Sequence, residues 1–292
     1  MSKIGIIVDE AGDLPQEIIQ KHQIAIVPVK LHWPEIENLP GENTFQKMRE
    51  LEKKGIQSFG KTSQPSVKDF LDKYNLQFEK FEKLICITIT SKLSGTYNSA
   101  LQAKKFLAED KQDKVFIVDS LSASGGEAFL VLKAIGLMEQ GKTAEEIAKE
   151  LEEFVPQVHF YVIFDDPKWI EASGRISHLV ASLMRAMAGA GIRPVLAIKN
   201  GILTPAGLKT GAKDIPTGIF KQFETDVKKL KKENHKISAI ITHGDDLAGA
   251  QRLKEMIEKG FPNAKVVFLN IVNNVVGAPA GPDALTFAWC EI

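Results

Sequence analysis

The chain has 292 residues, 44% of them hydrophobic and 25% charged, and its 37 Lys and Arg are matched by 37 Asp and Glu. That length exceeds one simple core and suits two domains, while the charge balance provides no global basic field for a nucleic acid. The two cysteines, Cys86 and Cys290, support neither a metal site nor a disulfide framework, and no secretory leader or membrane-length apolar run is present, so a cytoplasmic protein without an integral membrane segment is expected. Ile4 to Asp9 reads as a buried strand ending in an acid. The turn Gly12-Asp13-Leu14-Pro15 places Asp13 at a helix start, and a short helix through Ile18 and Ile19 leads to a strand over Ile24 to Val29. Trp33 to Gly41, with Pro34 and Pro40, has no periodicity and is expected as a surface loop. Thr44 is placed as the cap of a helix carrying Phe45, Met48 and Leu51. Ser66 and Asp69 have capping-box spacing, which leaves Thr62, Ser63 and Gln64 in the loop before the next helix.

The stretch from Leu84 to Ala100 organises this half of the chain. Leu84 to Thr90 is a β-rich apolar run, read as a strand buried on both faces. The turn Ser91 to Gly95 opens a helix whose inner face is Tyr97, Ala100, Leu101, Ala103 and Leu107 at helical spacing. In an open α/β sheet, ligands bind where a strand hands over to a helix N-terminus. Unpaired N–H groups and the helix dipole favour an anion there, and Ser94 and Thr96 add hydroxyl donors. The plain alternative is that Ser94 only caps the helix. Val115 to Asp119 is a further strand ending in a hydroxyl-rich turn, Ser120 to Gly126, followed by a helix to Gln140 and another begun by Thr143 and Glu146. Strands alternating with helices indicate a parallel-rich sheet. Its rim would gather Thr62, Ser94 and Ser120, with Asp9 and Asp119 near them.

A second unit begins near Val158, giving domains over 1–157 and 158–292. Val158 to Phe164 is a strand, and Asp165-Asp166-Pro167 opens a short helix ending at Ser173-Gly174. Leu179 to Ala190 is a helix rich in Ala, Met and Gly, suited to close packing or to an irregular ligand. Arg193 to Ile198 and Ile202 to Thr204 form a hairpin about Asn200-Gly201, a type I′ signal. A helix from Ile215 to Lys231, a strand Ile237 to Thr242, a helix Leu247 to Glu258, and strands Val266 to Leu269 and Leu285 to Trp289 complete a mixed sheet.

The chemistry-bearing motifs are few. There is no Gly-x-Ser-x-Gly elbow, no phosphate-binding Gly-rich loop, and no histidine pair at metal-ligand spacing. His243-Gly244-Asp245-Asp246 follows a strand, with Asp at a helix start as its simpler account. The chain is rich in hydroxyls at loop ends and poor in acid–base groups. That profile suits holding an anionic head group, with no catalytic residue, metal or cofactor assigned.

The motifs Thr62-Ser63-Gln64-Pro65-Ser66, Ser91-x-x-Ser94-Gly95-Thr96-Tyr97-x-Ser99-Ala100, Val118-Asp119-Ser120, Ser173-Gly174-Arg175-Ile176-Ser177 and Gly281-Pro282 resemble the DegV family in order and over nearly the whole chain. Members are similar to the fatty-acid-binding subunit of bacterial fatty acid kinase. The resemblance implies two α/β domains with a ligand cleft between them that holds a long-chain fatty acid. It maps the carboxylate onto Thr62 and Ser94, with Ser63, Gly95, Thr96 and Ser120 in the same head-group loops, and maps contact with a separate kinase subunit onto Arg175. A tail of about fourteen methylenes at ~0.8 kcal/mol each gives roughly 11 kcal/mol gross, much of it offset by association and ordering. The tail therefore supplies affinity and the hydroxyls orientation.

The chain departs from the family pattern at three places. The opening Asp-Ser-x-Ala-Asp-Leu is Asp9-Glu10-Ala11-Gly12-Asp13-Leu14. The usual Arg after the hairpin falls near Thr210. The late His-x-Gly-Pro-Gly reads Pro279-Ala280-Gly281-Pro282-Asp283. These departures bear on the kinase-facing positions more than on the lipid-contacting ones. Two rival readings remain open: a stand-alone enzyme using Ser94 on a small acyl or phosphate substrate, and an interaction protein that holds lipid as a structural ligand.

Overall fold

The computed structural model describes residues 3–190, 192–210, 214–230 and 236–292. In chain order the elements are β1 (Ile4–Asp9), α1 (Gln16–Lys21), β2 (Ala25–Val27), β3 (Lys30–His32), α2 (Pro34–Glu37), α3 (Thr44–Lys53), β4 (Lys61–Ser63), α4 (Val67–Phe78), β5 (Lys83–Thr88), α5 (Thr96–Lys105), α6 (Glu109–Gln112), β6 (Val115–Asp119), α7 (Gly125–Glu139) and α8 (Ala144–Phe154). They continue with β7 (His159–Ile163), α9 (Lys168–Ala172), α10 (His178–Gly189), β8 (Ile192–Lys199), β9 (Ile202–Thr210), α11 (Ile215–Val227), β10 (Ile237–His243), α12 (Leu247–Gly260), β11 (Ala264–Ile271), α13 (Asn274–Ala280) and β12 (Leu285–Glu291). The chain is α/β with two compact units, one built on a parallel sheet and one on a mixed sheet.

The first unit comprises Met1–Lys30, Ser63–Val158 and Lys199–Ile202. Its sheet has the order β2-β1-β5-β6 and every pair in it is parallel. Because successive side chains alternate across a strand, Ile7, Leu84 and Cys86 join Phe70, Tyr74, Ala100, Ala103 and Leu107 of α4, α5 and the turn beyond on one face. Ile6, Val8, Ile85 and Ile87, equally buried, point to the opposite face, where α7 and α8 pack on the sheet. Two capping boxes, Ser66 with Asp69 and Thr143 with Glu146, start α4 and α8. The buried face of α5 is Thr96, Ser99, Ala100 and Ala103. Tyr97 and Leu101, expected there, are half-buried at its margin.

The second unit comprises Leu31–Thr62, His159–Ile198 and Leu203–Ile292. Its sheet runs β11-β10-β12-β7-β8-β9. The β10–β11 pair is parallel, and β10–β12, β12–β7 and β7–β8 are antiparallel. A register shift after Ala239 bulges β11 at Val267. Asn200 and Gly201 both have positive φ, 50° and 81°, as a type I′ hairpin turn requires. One core gathers Tyr161, Phe223, Leu253, Phe287 and Trp289 between the sheet and α11 and α12.

The segment Leu31–Thr62 groups with this second unit, so the division is not a single cut at 157/158. The expectation of a surface loop over Trp33 to Gly41 is corrected on the same ground. Trp33 and Ile36 are buried with Phe45, Met48, Leu51, Trp169 and Ala278 in a separate core, and Pro34–Glu37 is helical. Asn43, not Thr44, caps α3, and Thr44 donates instead to Asn274 at 2.6 Å. Asp13 takes a left-handed conformation (φ 49°) at the end of a short 3-10 turn capped by Asp9, and α1 starts only at Gln16.

Candidate head-group loops

Ser94 lies on the loop between β5 and α5 in the first unit, half-buried. Its Oγ shares a hydrogen bond with the Thr96 hydroxyl at 2.8 Å and accepts the Thr96 N–H at 3.3 Å. Gly95 holds the N-cap position and supplies no side-chain cap. Ser94 thus meets one N–H at the helix start, through a long bond, and keeps hydrogen-bonding capacity beyond it. Thr96 is fully buried at the first helical position. Ser120 is also buried, but its hydroxyl donates to the Ser122 carbonyl and accepts the Ser122 N–H, each at 3.1 Å. It shapes its own turn and has little left for a ligand.

The acids at the carboxyl edge of this sheet face inward. Asp9 accepts from Ala11 and Ile89 N–H at 2.8 Å each, and Asp119 accepts from Ser91 and Leu121 N–H. The two residues that begin and continue the Ser94 loop, Ile89 and Ser91, are therefore tied by their backbone to strand-end carboxylates. Burial pushes the Asp9 carboxyl from 3.8 up to about 6, against the lowering effect of its two N–H donors. Glu127, the third residue of α7, is wholly buried and neither carboxyl oxygen has a hydrogen-bond partner. Burial first, then the charges of Asp9, Asp13 and Asp119, push its pKa well up. Glu127 was missed in the sequence, although a lone acid inside the apolar run Ala128 to Val131 and its preceding glycines is a visible signal. The neighbouring loop is strained: Leu121 and Ser124 have φ of 45° and 50°.

Thr62, the last residue of the second unit's first segment, lies in β4 and is half-buried; Ser63, exposed, opens the next segment of the first unit. The Thr62 hydroxyl accepts a hydrogen bond from Arg175 Nη2 at 3.3 Å. Arg175 follows Gly174, whose φ of 75° makes the turn. Arg175, to which the resemblance assigns contact with a kinase subunit, is half-buried, and desolvation lowers its pKa. Among the described residues no carboxylate pairs with it.

The other departures also fall in the second unit. Asp283, at the family's last glycine position, has φ 62° and is held by Arg49 Nη2 at 2.7 Å. Arg49 Nη1 holds Asp245, itself at φ 63°, at the same distance. His243 is buried with an unpartnered Nδ1, and burial lowers its pKa against the pull of Asp246 and Asp245. Pro279 is buried inside α13. Thr210 ends β9, and its side chain lies outside the described residues. Among the described residues no group of three His, Cys, Asp or Glu is placed to hold a metal ion, and no helix is long and apolar enough to cross a membrane.

A family model described as "Uncharacterised protein, DegV family" matches residues 3–291. A Thermotoga maritima relative named fatty acid-binding protein is 30% identical over 298 residues, covering 98% of this chain and 96% of its own. Protein DegV of Bacillus subtilis is 25% identical over 98% of this chain and 99% of its own. Among solved structures, a Thermus thermophilus DegV family protein described for its fatty acid binding superposes with a TM-score of 0.83 at 25% identity, over 99% of this chain and all of that one. A Thermotoga maritima protein whose structure was described as revealing a fatty acid binding function has a TM-score of 0.79 at 28% identity, with both chains covered in full.

Proposed function

The chain belongs to the DegV family, and on that premise we propose that it binds a long-chain fatty acid, with Thr62 and Ser94 as the hydroxyl ligands of the carboxylate. The observation that carries the reading is the Arg175 guanidinium, partly desolvated, directed at the Thr62 hydroxyl and without an acidic partner among the described residues. A cation held away from water without a counter-charge is unfavourable by itself, and a carboxylate bound at Thr62 compensates it through charge-assisted hydrogen bonds. Ser63, Gly95 and Thr96 complete the two loops, while Ser120 keeps the neighbouring turn in shape. Arg175 then serves the head group first and a partner only through it. The protein acts as a lipid carrier and no residue has a catalytic role.

The finer proposal is that the carrier presents its carboxylate to a separate kinase subunit. Thr210 and Pro279 stand where a cation and a histidine are expected on the docking face. A kinase matched to typical family members is therefore expected to form little acyl phosphate on this chain. Equal turnover with a typical carrier in a mixture of kinase, ATP and labelled fatty acid would show those positions to be harmless.

The direct test is mass spectrometry of organic extracts from purified protein. One fatty acid near stoichiometry is the expected result. A small acyl or phosphate metabolite, with turnover lost in Ser94→Ala, would replace the carrier with an enzyme.

A further inference from the structure

Gln64 directly follows Ser63, two residues after Thr62, and Gly95 directly follows Ser94. In the first unit the Gln64 amide nitrogen donates to Ser99 Oγ at 2.9 Å, one turn into α5. Its amide oxygen occupies the space where a side chain on Gly95 would begin: a Cβ there would lie 1.8 Å from Gln64 Oε1. Gly95 has φ −79° and ψ 6°, values open to other residues, so the backbone does not demand glycine. The seated amide does. Gln64 is exposed whereas Ser99 is buried, so the surrounding core does not pin the glutamine. On its other side Pro65 is buried and Ser66 opens the capping box of α4, which fixes the backbone that leaves Gln64.

We infer that Gln64 is a positioning residue: seated on Gly95 and bonded to Ser99, it locks the segment that begins with Ser63 to the start of α5 within the first unit and thereby sets the preference for a carboxylate head group. The inference rests on the carboxylate reading of Thr62 and Ser94. It adds that head-group selectivity depends on a side chain that does not touch the ligand. The Gly95–Gln64 contact is with the far end of a flexible side chain, so a Cβ at position 95 displaces the amide instead of breaking the fold.

The test compares binding of oleic acid and oleyl alcohol, which share a tail and differ in the head. Gln64→Ala should lower the acid-over-alcohol preference about threefold to tenfold, the range for loss of one ordinary hydrogen bond. Gly95→Ala should cause a similar loss, and the Gln64→Ala, Gly95→Ala double variant should be no worse than either single one. General loosening would weaken acid and alcohol alike and leave the preference intact, which would overturn the inference. Additive losses in the double variant would overturn it too, because the two residues would then act separately. Should Gly95→Ala fail to fold, an unchanged preference in Gln64→Ala alone overturns it. If Ser94→Ala and Thr62→Ala also leave the preference unchanged, the carboxylate reading itself fails; if they abolish it and Gln64→Ala does not, only the lock fails.

Discussion

Replacing Glu127 by glutamine should change how stability depends on pH. Glu127 is buried with both oxygens unpartnered and its pKa is pushed well above 4.5, by burial first and then by Asp9, Asp13 and Asp119. An acid whose pKa is higher in the folded state than in the unfolded state destabilises the fold as pH rises. Once the pH passes its ordinary value, the unfolded chain releases a proton that the folded chain retains. Stability keeps falling until the pH passes the folded value. Each such group contributes a slope of about 1.4 kcal/mol per pH unit within its window. Asp9, raised from 3.8 to about 6, has a window of roughly two units and contributes a fall of about 3 kcal/mol across it. Above about pH 6 the Asp9 window closes and Glu127 continues; up to about pH 6.5 His243, whose pKa is lowered by burial, opposes the fall in parent and variant alike. Asp69, Glu145, Glu146, Glu171 and Asp226 are held below their ordinary values, so their windows lie at more acidic pH and do not oppose this fall.

Urea unfolding of the parent and Glu127→Gln at several values between about pH 6 and pH 8 measures the effect. The parent should lose stability with rising pH, and the variant should lose less by about 1.4 kcal/mol for each unit within the Glu127 window. The comparison of slopes is the informative quantity, because glutamine brings unpaired polar atoms of its own. Parallel profiles would refute the assignment of a retained proton to Glu127.

Ser94→Ala and Thr62→Ala should each weaken fatty-acid binding roughly ten- to hundred-fold, from the ~1.5–3 kcal/mol of a hydrogen bond to a charged group; if Ser94 is only a cap, affinity stays and thermal stability drops by ~1 kcal/mol. Arg175→Ala should weaken oleic acid more than oleyl alcohol in the same titrations, and equal losses would leave the guanidinium no part in head-group binding. Asp283→Gly should be close to neutral in urea unfolding, since relief of the left-handed backbone, worth ~1 kcal/mol, offsets a partly exposed ion pair with Arg49 worth ~1 kcal/mol or less. A loss above about 2 kcal/mol would show the Arg49 clamp to be a larger contributor than surface pairs generally are.

The elements legible in the sequence are those whose signals are local. The apolar runs of β1, β5 and β6, the two capping boxes and the Asn200-Gly201 turn each need only a few adjacent residues to be recognised, and each stands where expected. Trp33 and Ile36 look like loop in the sequence because their packing partners, Trp169 and Ala278, lie far along the chain. Helix α13 was obscured by Gly277 and the internal Pro279. Gly277 is required there by tertiary packing, since a Cβ would lie 2.5 Å from the Phe45 ring. Arg175 shows the same limit at the candidate site: Gly174 announces a turn, but nothing near it in sequence announces the hydrogen bond to Thr62, 113 residues away. Ser94 and Thr62 were legible as hydroxyls at loop ends, whereas the Gln64 amide over Gly95 depends on residues about thirty apart in the chain.

An anion site beside the first sheet has to contend with Asp9, Asp13, Asp119 and Glu127. At an effective dielectric of about 20, one unit charge about 4 Å from another of like sign costs about 4 kcal/mol, more than one head-group hydrogen bond returns. The structure lessens that conflict in two ways. Asp9 and Asp119 turn their charge onto the N–H groups of Ala11, Ile89, Ser91 and Leu121, so these acids hold the Ser94 loop while their charge is partly met by backbone dipoles. Glu127, with no donor to meet a charge, is the acid for which neutrality matters most. Loss of its proton would leave a buried, unpartnered charge beside Asp9, Asp13 and Asp119. The proton Glu127 retains costs the fold stability as pH rises, and it spares this sheet edge a further buried negative charge beside those three acids.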